Sequence, residues 1–101
     1  MRFEIKHPTD ADVTADYGWD RAVEFFVTVY LADGEVASYD RLHRGYAHLD
    51  GALRFLAKHG FFSVDELEES LMRMGDERPE DMPDPFRGCA EIVMNLKGAA
   101  A

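Results

Sequence analysis

The chain has 101 residues, of which 47% are hydrophobic and 12% aromatic, and its mean hydropathy is -0.32. This composition is typical of one globular domain, residues 1–101, and disfavours both disorder and a membrane-spanning helix. Twenty acidic residues against eleven Lys and Arg give a net charge of -9, which disfavours direct binding to nucleic acid or to an anionic membrane.

The first residues predict a strand and no export signal. The apolar Phe3 and Ile5 alternate with Glu4 and Lys6, as in a half-buried strand. Charges interrupt every apolar stretch of this segment, so it does not resemble a signal peptide, and we expect a cytoplasmic protein. Residues 7–16 are polar and acidic, which predicts a loop.

Tyr17 and Trp19, the only tryptophan, come just before a β-rich region. Aromatic residues of this kind fill core edges when they are buried and anchor protein interfaces when they are exposed. A place in the core is the favoured interpretation, and a partner-binding role is the alternative.

The pattern of residues 22–40 predicts a β-hairpin with its turn at Asp33-Gly34. This dipeptide between β-rich runs is typical of a two-residue type I′ turn, which needs positive φ at both central positions. With such a turn, Leu31 opposes Val36 on an aliphatic face that we expect to meet the core. Thr28 then opposes Tyr39 on the second face.

The second face of the hairpin is half apolar, which is unusual for a surface left in water. We therefore expect it to bind a protein partner or a second copy of the chain, which would make the protein a homo-oligomer. The candidate partner-binding residues are Tyr17, Trp19, Phe26, Tyr30 and Tyr39.

Two helices are predicted near residues 49–59 and 64–74, because each stretch has an apolar stripe at helical spacing. Gly60 and Gly75 are the expected stop signals. Ser63 and Glu66 have the spacing of a capping box, which would start the second helix.

Residues 85–97 fit two interpretations, since their apolar residues match both strand alternation and a helical stripe. A helix is preferred, because Asp84-Pro85 is a typical helix start and Gly98 a typical stop.

The middle of the chain is locally basic, and it suggests an anionic-ligand site. The candidate ligand-binding residues are Asp40, His43, Arg44, Tyr46 and His48. The favoured interpretation is that these charges complement the acidic surroundings of the same fold.

We expect no metal, no cofactor and no catalytic residue. His43 and His48 lie five positions apart, so a helix does not present them on one face, and Asp50 is expected to cap a helix. Cys89 is the only cysteine, so it forms no internal disulfide, and it is expected in the core. No common catalytic motif occurs, which leaves enzymatic activity disfavoured.

The predicted fold class is therefore α+β, with a small antiparallel sheet, the hairpin 22–40 plus the N-terminal strand, packed against two or three helices. The leading functional hypothesis is a protein-interaction or regulatory module. The alternatives are a small ligand-binding or enzymatic domain and an acidic mimic of nucleic acid.

Overall fold

The computed structural model describes residues 1–44, 48–61, 64–85, 89, 91–92, 94–95 and 98. Four strands form one antiparallel sheet in the order β1-β2-β3-β4, and helices follow them in the chain, so the predicted α+β class is confirmed. The elements are β1 (Arg2–Lys6), β2 (Thr14–Asp20), β3 (Glu24–Tyr30), β4 (Val36–Tyr39), α1 (Arg41–Arg44), α2 (Leu49–Lys58) and α3 (Val64–Glu77).

Strands β1 and β3 bury every second residue, because successive side chains of a strand point to opposite faces. In β2 Gly18 is buried in addition, and in β4 only Tyr39 is buried. The core face of the sheet meets buried residues of α2 and α3 in one hydrophobic cluster. We call the other side of the sheet the open face. The core-face side chains are Phe3, Ile5, Ala15, Tyr17, Trp19, Phe25, Val27, Val29 and Tyr39.

Strand β2 was not predicted, and it takes up the end of the stretch that was expected to be a loop. Ala15, Tyr17 and Trp19 alternate with Asp16 and other polar or small residues, and the three apolar side chains are buried. The sequence contains this alternation, but Asp and Gly are rare in strands, so the segment was not predicted to be one.

The turn between β3 and β4 has three residues, so the predicted two-residue turn is wrong. The N–H of Gly34 donates to Leu31 O over 3.0 Å, and the N–H of Leu31 donates to Glu35 O over 2.9 Å. Gly34 has a φ of 88°, and Asp33 Oδ1 accepts from the N–H of Glu35. These features are typical of a type I turn followed by a left-handed bulge residue.

The longer turn shifts the register of β4 by one residue. Val29 faces Ala37, and Tyr30 faces Val36. A shift of one residue exchanges the two faces of a strand. Tyr39 therefore lies on the core face, 8% exposed, whereas Val36 lies on the open face, 56% exposed. The expectation that Tyr39 shares a face with Tyr30 is wrong.

Helix α2 ends as the sequence predicts, and α3 does not. Gly60 has a φ of 88°, and its N–H donates to Ala57 O over 3.0 Å, which closes the end of α2. Gly75 was expected to stop α3, but the helix continues to Glu77. Pro79 follows, and a proline restricts the residue before it to extended backbone.

Two further expectations involve residues that are only partly described. The capping box fell on Ser63, which lies outside the described residues. In the segment 85–97, the described positions 91, 92, 94 and 95 are helical, in line with the preferred interpretation. The expected boundaries are wrong, because Pro85 and Cys89 lie in turns and Gly98, the expected stop, is itself helical.

A buried hydrogen bond joins the sheet to α3. The hydroxyl of Tyr17, on β2, hydrogen bonds Ser70, and Ser70 Oγ donates to Leu67 O over 3.0 Å. Tyr17 is fully buried, and this burial raises the pKa of its hydroxyl, with a smaller contribution from Glu66. Because Ser70 donates its one hydroxyl proton to Leu67 O, the hydroxyl of Tyr17 is the donor to Ser70.

We predict that Gly34→Ala lowers the free energy of unfolding by about 1 kcal/mol, because L-residues are disfavoured in the left-handed conformation. No atom lies within 4 Å of an added Cβ, so the loss comes from the backbone alone. Gly34→Asn is the control and loses less, since Asn tolerates this conformation. Urea unfolding measures all three proteins, and equal stabilities would contradict the three-residue turn.

We also predict that Ser70→Ala destabilises the fold more than Tyr17→Phe. The first change leaves a buried phenol without a partner and costs about 1–3 kcal/mol, whereas the second leaves Ser70 donating to Leu67 O and costs about 1 kcal/mol. The double variant resembles Tyr17→Phe alone in urea unfolding. Full stability of Ser70→Ala would show that this bond contributes nothing.

Candidate functional site

A pocket lies where the β2–β3 turn, the start of α2 and residues 81–84 meet, and we call it the end pocket. It encloses about 690 Å³, within the usual range of small-molecule sites. Its apolar lining comes from two cross-strand neighbours on the core face, Trp19 and Phe25, together with Leu49 and Pro83.

The charged lining of the end pocket is mainly acidic. Its carboxylates are those of Glu24, Asp50, Asp81 and Asp84. Arginines neutralise three of them: Arg21 binds Asp81 through two contacts of 2.7 and 3.1 Å, Arg41 lies 3.8 Å from Glu24, and Arg78 lies 3.7 Å from Asp84. Asp50 has no such partner among the described residues.

The paired carboxylate Asp81 is the best-defined of these groups. The hydrogen bond from Arg21 lowers the pKa of its carboxyl, so Asp81 is ionised at neutral pH. Both side chains are exposed, so the pair itself adds little to the stability of the fold.

The start of α2 forms one wall of the end pocket. His48 is the N-cap residue, and its side chain makes no cap hydrogen bond, so the prediction that Asp50 caps this helix is wrong. The backbone N–H of His48 donates to the hydroxyl of Tyr39 over 3.2 Å. The buried Tyr39 therefore positions the helix start beside the sheet.

Trp19, a lining residue of the end pocket, has an unsatisfied donor. The residue is 6% exposed, and its indole Nε1 is buried without a hydrogen-bond partner. A buried polar group without a partner costs about 1–3 kcal/mol, so such groups call for an explanation.

Glu24, which lines the end pocket, has a left-handed backbone with a φ of 63°. It faces Asp20 across the β2–β3 turn, and Asp20 Oδ1 accepts from the N–H of Ala22 over 2.8 Å. This turn holds the Glu24 carboxylate next to Arg41.

The predicted ligand-binding residues are only partly brought together. His48 lines the end pocket, and Asp40 is half-buried directly after β4. His43 and Arg44 belong to α1, but their side chains lie outside the described part of the structure, as does Tyr46. The acidic lining does not favour an anionic ligand, which was the alternative interpretation of these residues.

No group of three or more potential metal ligands occurs within the described residues. Cys89 is 2% exposed, as expected for a core cysteine, and burial raises the pKa of its thiol. A thiol of this kind is a poor nucleophile at neutral pH, because the thiolate is the reactive form.

The open face is organised around Asp16. Arg2 lies 3.1 Å from this carboxylate, and the hydroxyl of Tyr30 donates to it over 3.1 Å. The guanidinium of Arg2 also lies over the ring of Phe26, 5.9 Å from its centroid, across the position of Gly18, which has no side chain. Phe26 is half-buried and Tyr30 is 39% exposed.

The predicted partner-binding residues divide between the two faces. Phe26 and Tyr30 lie on the open face, as expected. Tyr17, Trp19 and Tyr39 lie in the core, so these three cannot form an exposed interface with the other two. For Tyr17 and Trp19 the core interpretation is confirmed. Val36 also lies on the open face, which was not predicted because the expected register placed it on the core face.

Comparisons with known proteins add no assignment: no family model matches the chain, and neither curated proteins nor solved structures give a match. In the described ranges, no helix is both long enough and apolar enough to cross a bilayer.

We predict that Trp19 emits at a shorter wavelength in the native protein than in urea, and that acrylamide quenches it much less. The reason is that the single indole is buried and its Nε1 has no hydrogen-bond partner. Acrylamide is neutral, so the acidic lining does not repel it. Equal quenching of the native and unfolded proteins would contradict the burial of Trp19.

Proposed function

We propose that the protein is a protein-interaction module that binds an extended segment of a partner along the edge of β4, next to the apolar part of the open face. The observation that supports this most is the pair Tyr30 and Val36, which face each other across β3 and β4 and are 39% and 56% exposed. Exposed apolar groups beside a sheet edge favour strand addition.

The two edges of the sheet differ in their protection. At β1 the side chains of Arg2, Glu4 and Lys6 are charged and exposed, and charges of this kind discourage further pairing. Strand β4, with the sequence VASY, has no charged residue and no proline. The β4 edge therefore resembles a site for another strand.

The register of β4 identifies the backbone groups that a partner would meet. The hydrogen bond from the N–H of Leu31 to Glu35 O shows that these two facing residues form a hydrogen-bonded pair. In an antiparallel ladder, hydrogen-bonded and non-hydrogen-bonded pairs alternate, so every second pair from this one is hydrogen-bonded. Val36 and Ser38 belong to the other pairs, so their N–H and C=O groups point away from β3. An added strand would bond to these groups.

Charge favours a basic partner over a second copy of the chain. Asp33 and Glu35 precede β4, and Asp40 follows it, so acidic residues flank the edge on both sides. Two copies, each with a net charge of -9, would repel one another. A segment with a neutral, β-branched centre and Lys or Arg at its ends complements this edge.

The test is a selection from a random-peptide display library on the wild-type protein. We expect enriched peptides with basic ends, and an affinity about tenfold lower for Val36→Pro, because proline removes an outward N–H without removing a ladder bond. Val36→Thr is the matched control: it keeps the N–H and the β-branched shape, and it should bind nearly as well as the wild type. Affinities are measured by isothermal titration.

Three outcomes would contradict the proposal. They are the absence of any enrichment, enriched peptides that bind Val36→Pro as tightly as the wild type, and enriched peptides without basic residues. Light scattering on the free protein adds a fourth: a mass of two chains that Val36→Pro converts to one would assign this edge to a second copy.

A further inference from the structure

The ring of His7 organises the loop between β1 and β2, residues 7–13, through its Nδ1 atom. This atom accepts the backbone N–H of Thr9 over 3.2 Å and that of Asp10 over 3.0 Å. A backbone N–H can only donate, so Nδ1 carries a lone pair and the neutral ring bears its proton on Nε2. The hydrogen bonds of this β1–β2 loop therefore require an uncharged His7.

Further contacts connect the His7 ring to the end of α2. The rings of His7 and Phe61 meet edge to face, with centroids 5.2 Å apart. A Cβ at Gly60 would lie only 2.5 Å from Nε2 of His7, so the ring packs closely against the backbone there. The loop ends at the buried Val13, whose C=O accepts from the N–H of His7 over 3.2 Å. The ring therefore holds the β1–β2 loop next to α2.

Protonation of His7 reverses the role of Nδ1. The imidazolium carries a proton on both ring nitrogens, so Nδ1 becomes a donor that points at two other donors. The hydroxyl of Thr9, 3.3 Å from Nδ1, can accept the new proton, but the backbone N–H groups of Thr9 and Asp10 then lose their acceptor. Histidine changes its charge between roughly pH 5 and 8, so mild acid is sufficient for this loss.

No ion pair joins His7 to another of the described residues, so no partner of this kind favours its charged form. The nearest carboxylate in the loop, that of Asp10, accepts the N–H of Asp12 over 3.0 Å. The hydrogen bonds at Nδ1 therefore decide which form of His7 the folded loop binds. The titratable groups on the segments packed against the ring are Lys6, Asp10, Asp12, Lys58 and His59.

His59, the C-cap residue of α2, has the opposite arrangement. Its Nδ1 lies 2.9 Å from the carbonyl oxygen of Phe55, which can only accept, so this Nδ1 bears a proton. Protonation of the ring keeps that donor, and a positive charge at the C-terminus of a helix is favourable. Acid therefore removes the hydrogen bonds of His7 and leaves that of His59 in place.

We propose that His7 is a pH-sensitive switch: the neutral ring holds the β1–β2 loop against the end of α2, and protonation of the ring releases the loop. The folded loop binds the neutral ring better than the protonated one. Its hydrogen bonds therefore contribute to the free energy of unfolding at neutral pH, and this contribution is lost as the pH falls. The switch lies between β1 and β2, whereas β4 is at the opposite edge of the sheet, so it is independent of binding at β4.

The first experiment follows the wild-type protein by NMR while the pH is lowered. Long-range proton–nitrogen spectra report which ring nitrogen carries the proton, and at about pH 8 we expect Nε2 for His7 and Nδ1 for His59. The amide signals of Thr9 and Asp10 should move together with the ring signals of His7 as it becomes protonated. A proton on Nδ1 of neutral His7, or amide signals that do not follow its ring, would overturn the proposal.

The second experiment uses His7→Asn, because the side-chain oxygen of Asn takes the place of Nδ1 and accepts the same N–H groups at every pH. Urea unfolding compares this variant with the wild type at about pH 8 and about pH 5. We expect the unfolding equilibrium constant of the wild type, divided by that of His7→Asn, to rise about tenfold on acidification. This ratio cancels the titration of the groups that both proteins share.

His59→Asn is the control variant. Protonation of His59 is compatible with its hydrogen bond, so the corresponding ratio of the wild type to His59→Asn should not rise on acidification. A ratio for His7→Asn that stays constant, or ratios that rise equally for both variants, would also overturn the proposal. The wild-type NMR titration decides the question if His7→Asn does not fold.

Discussion

The three-residue turn between β3 and β4 decides which side chains of β4 reach the core. Its left-handed Gly34 and the bond from Leu31 to Glu35 fix the register, and the register sends Tyr39 inward and Val36 outward. In the core, Tyr39 accepts a hydrogen bond from the N–H of His48, so the same turn also positions the start of α2. A one-residue slip would exchange these roles.

The two candidate surfaces follow from this arrangement. On the open face, Val36 comes to lie beside Tyr30, and the outward backbone groups of β4 are left without a strand among the described residues. On the core side, the placement of α2 leaves the end pocket between its first turn and Trp19. One surface offers main-chain hydrogen bonds and apolar area, and the other is a pocket with a mainly acidic lining, so they differ in the chemistry that they offer.

Local patterns in the sequence were sufficient for much of the fold. Alternation predicted β1 and β3, and helical stripes predicted α2 and α3, because each of these signals lies within one element. Strand β2 was not predicted, because Asp16 and Gly18 occupy its open-face positions and both residue types are rare in strands. The length of the β3–β4 turn was predicted wrongly, because the Asp33-Gly34 dipeptide occurs in both two-residue and three-residue turns. The end pocket was beyond local patterns, because Trp19, Asp50 and Asp81 are distant in the chain and only folding brings them together.

The register of β4 is tested most directly by nuclear Overhauser effects between α protons of β3 and β4, which are strong only for facing residues that do not exchange hydrogen bonds. The account predicts strong α-proton contacts for Thr28 with Ser38 and for Tyr30 with Val36. Strong contacts for Val29 with Ser38 and for Leu31 with Val36 would contradict it, since that register returns Tyr39 to the open face and removes Val36 from it.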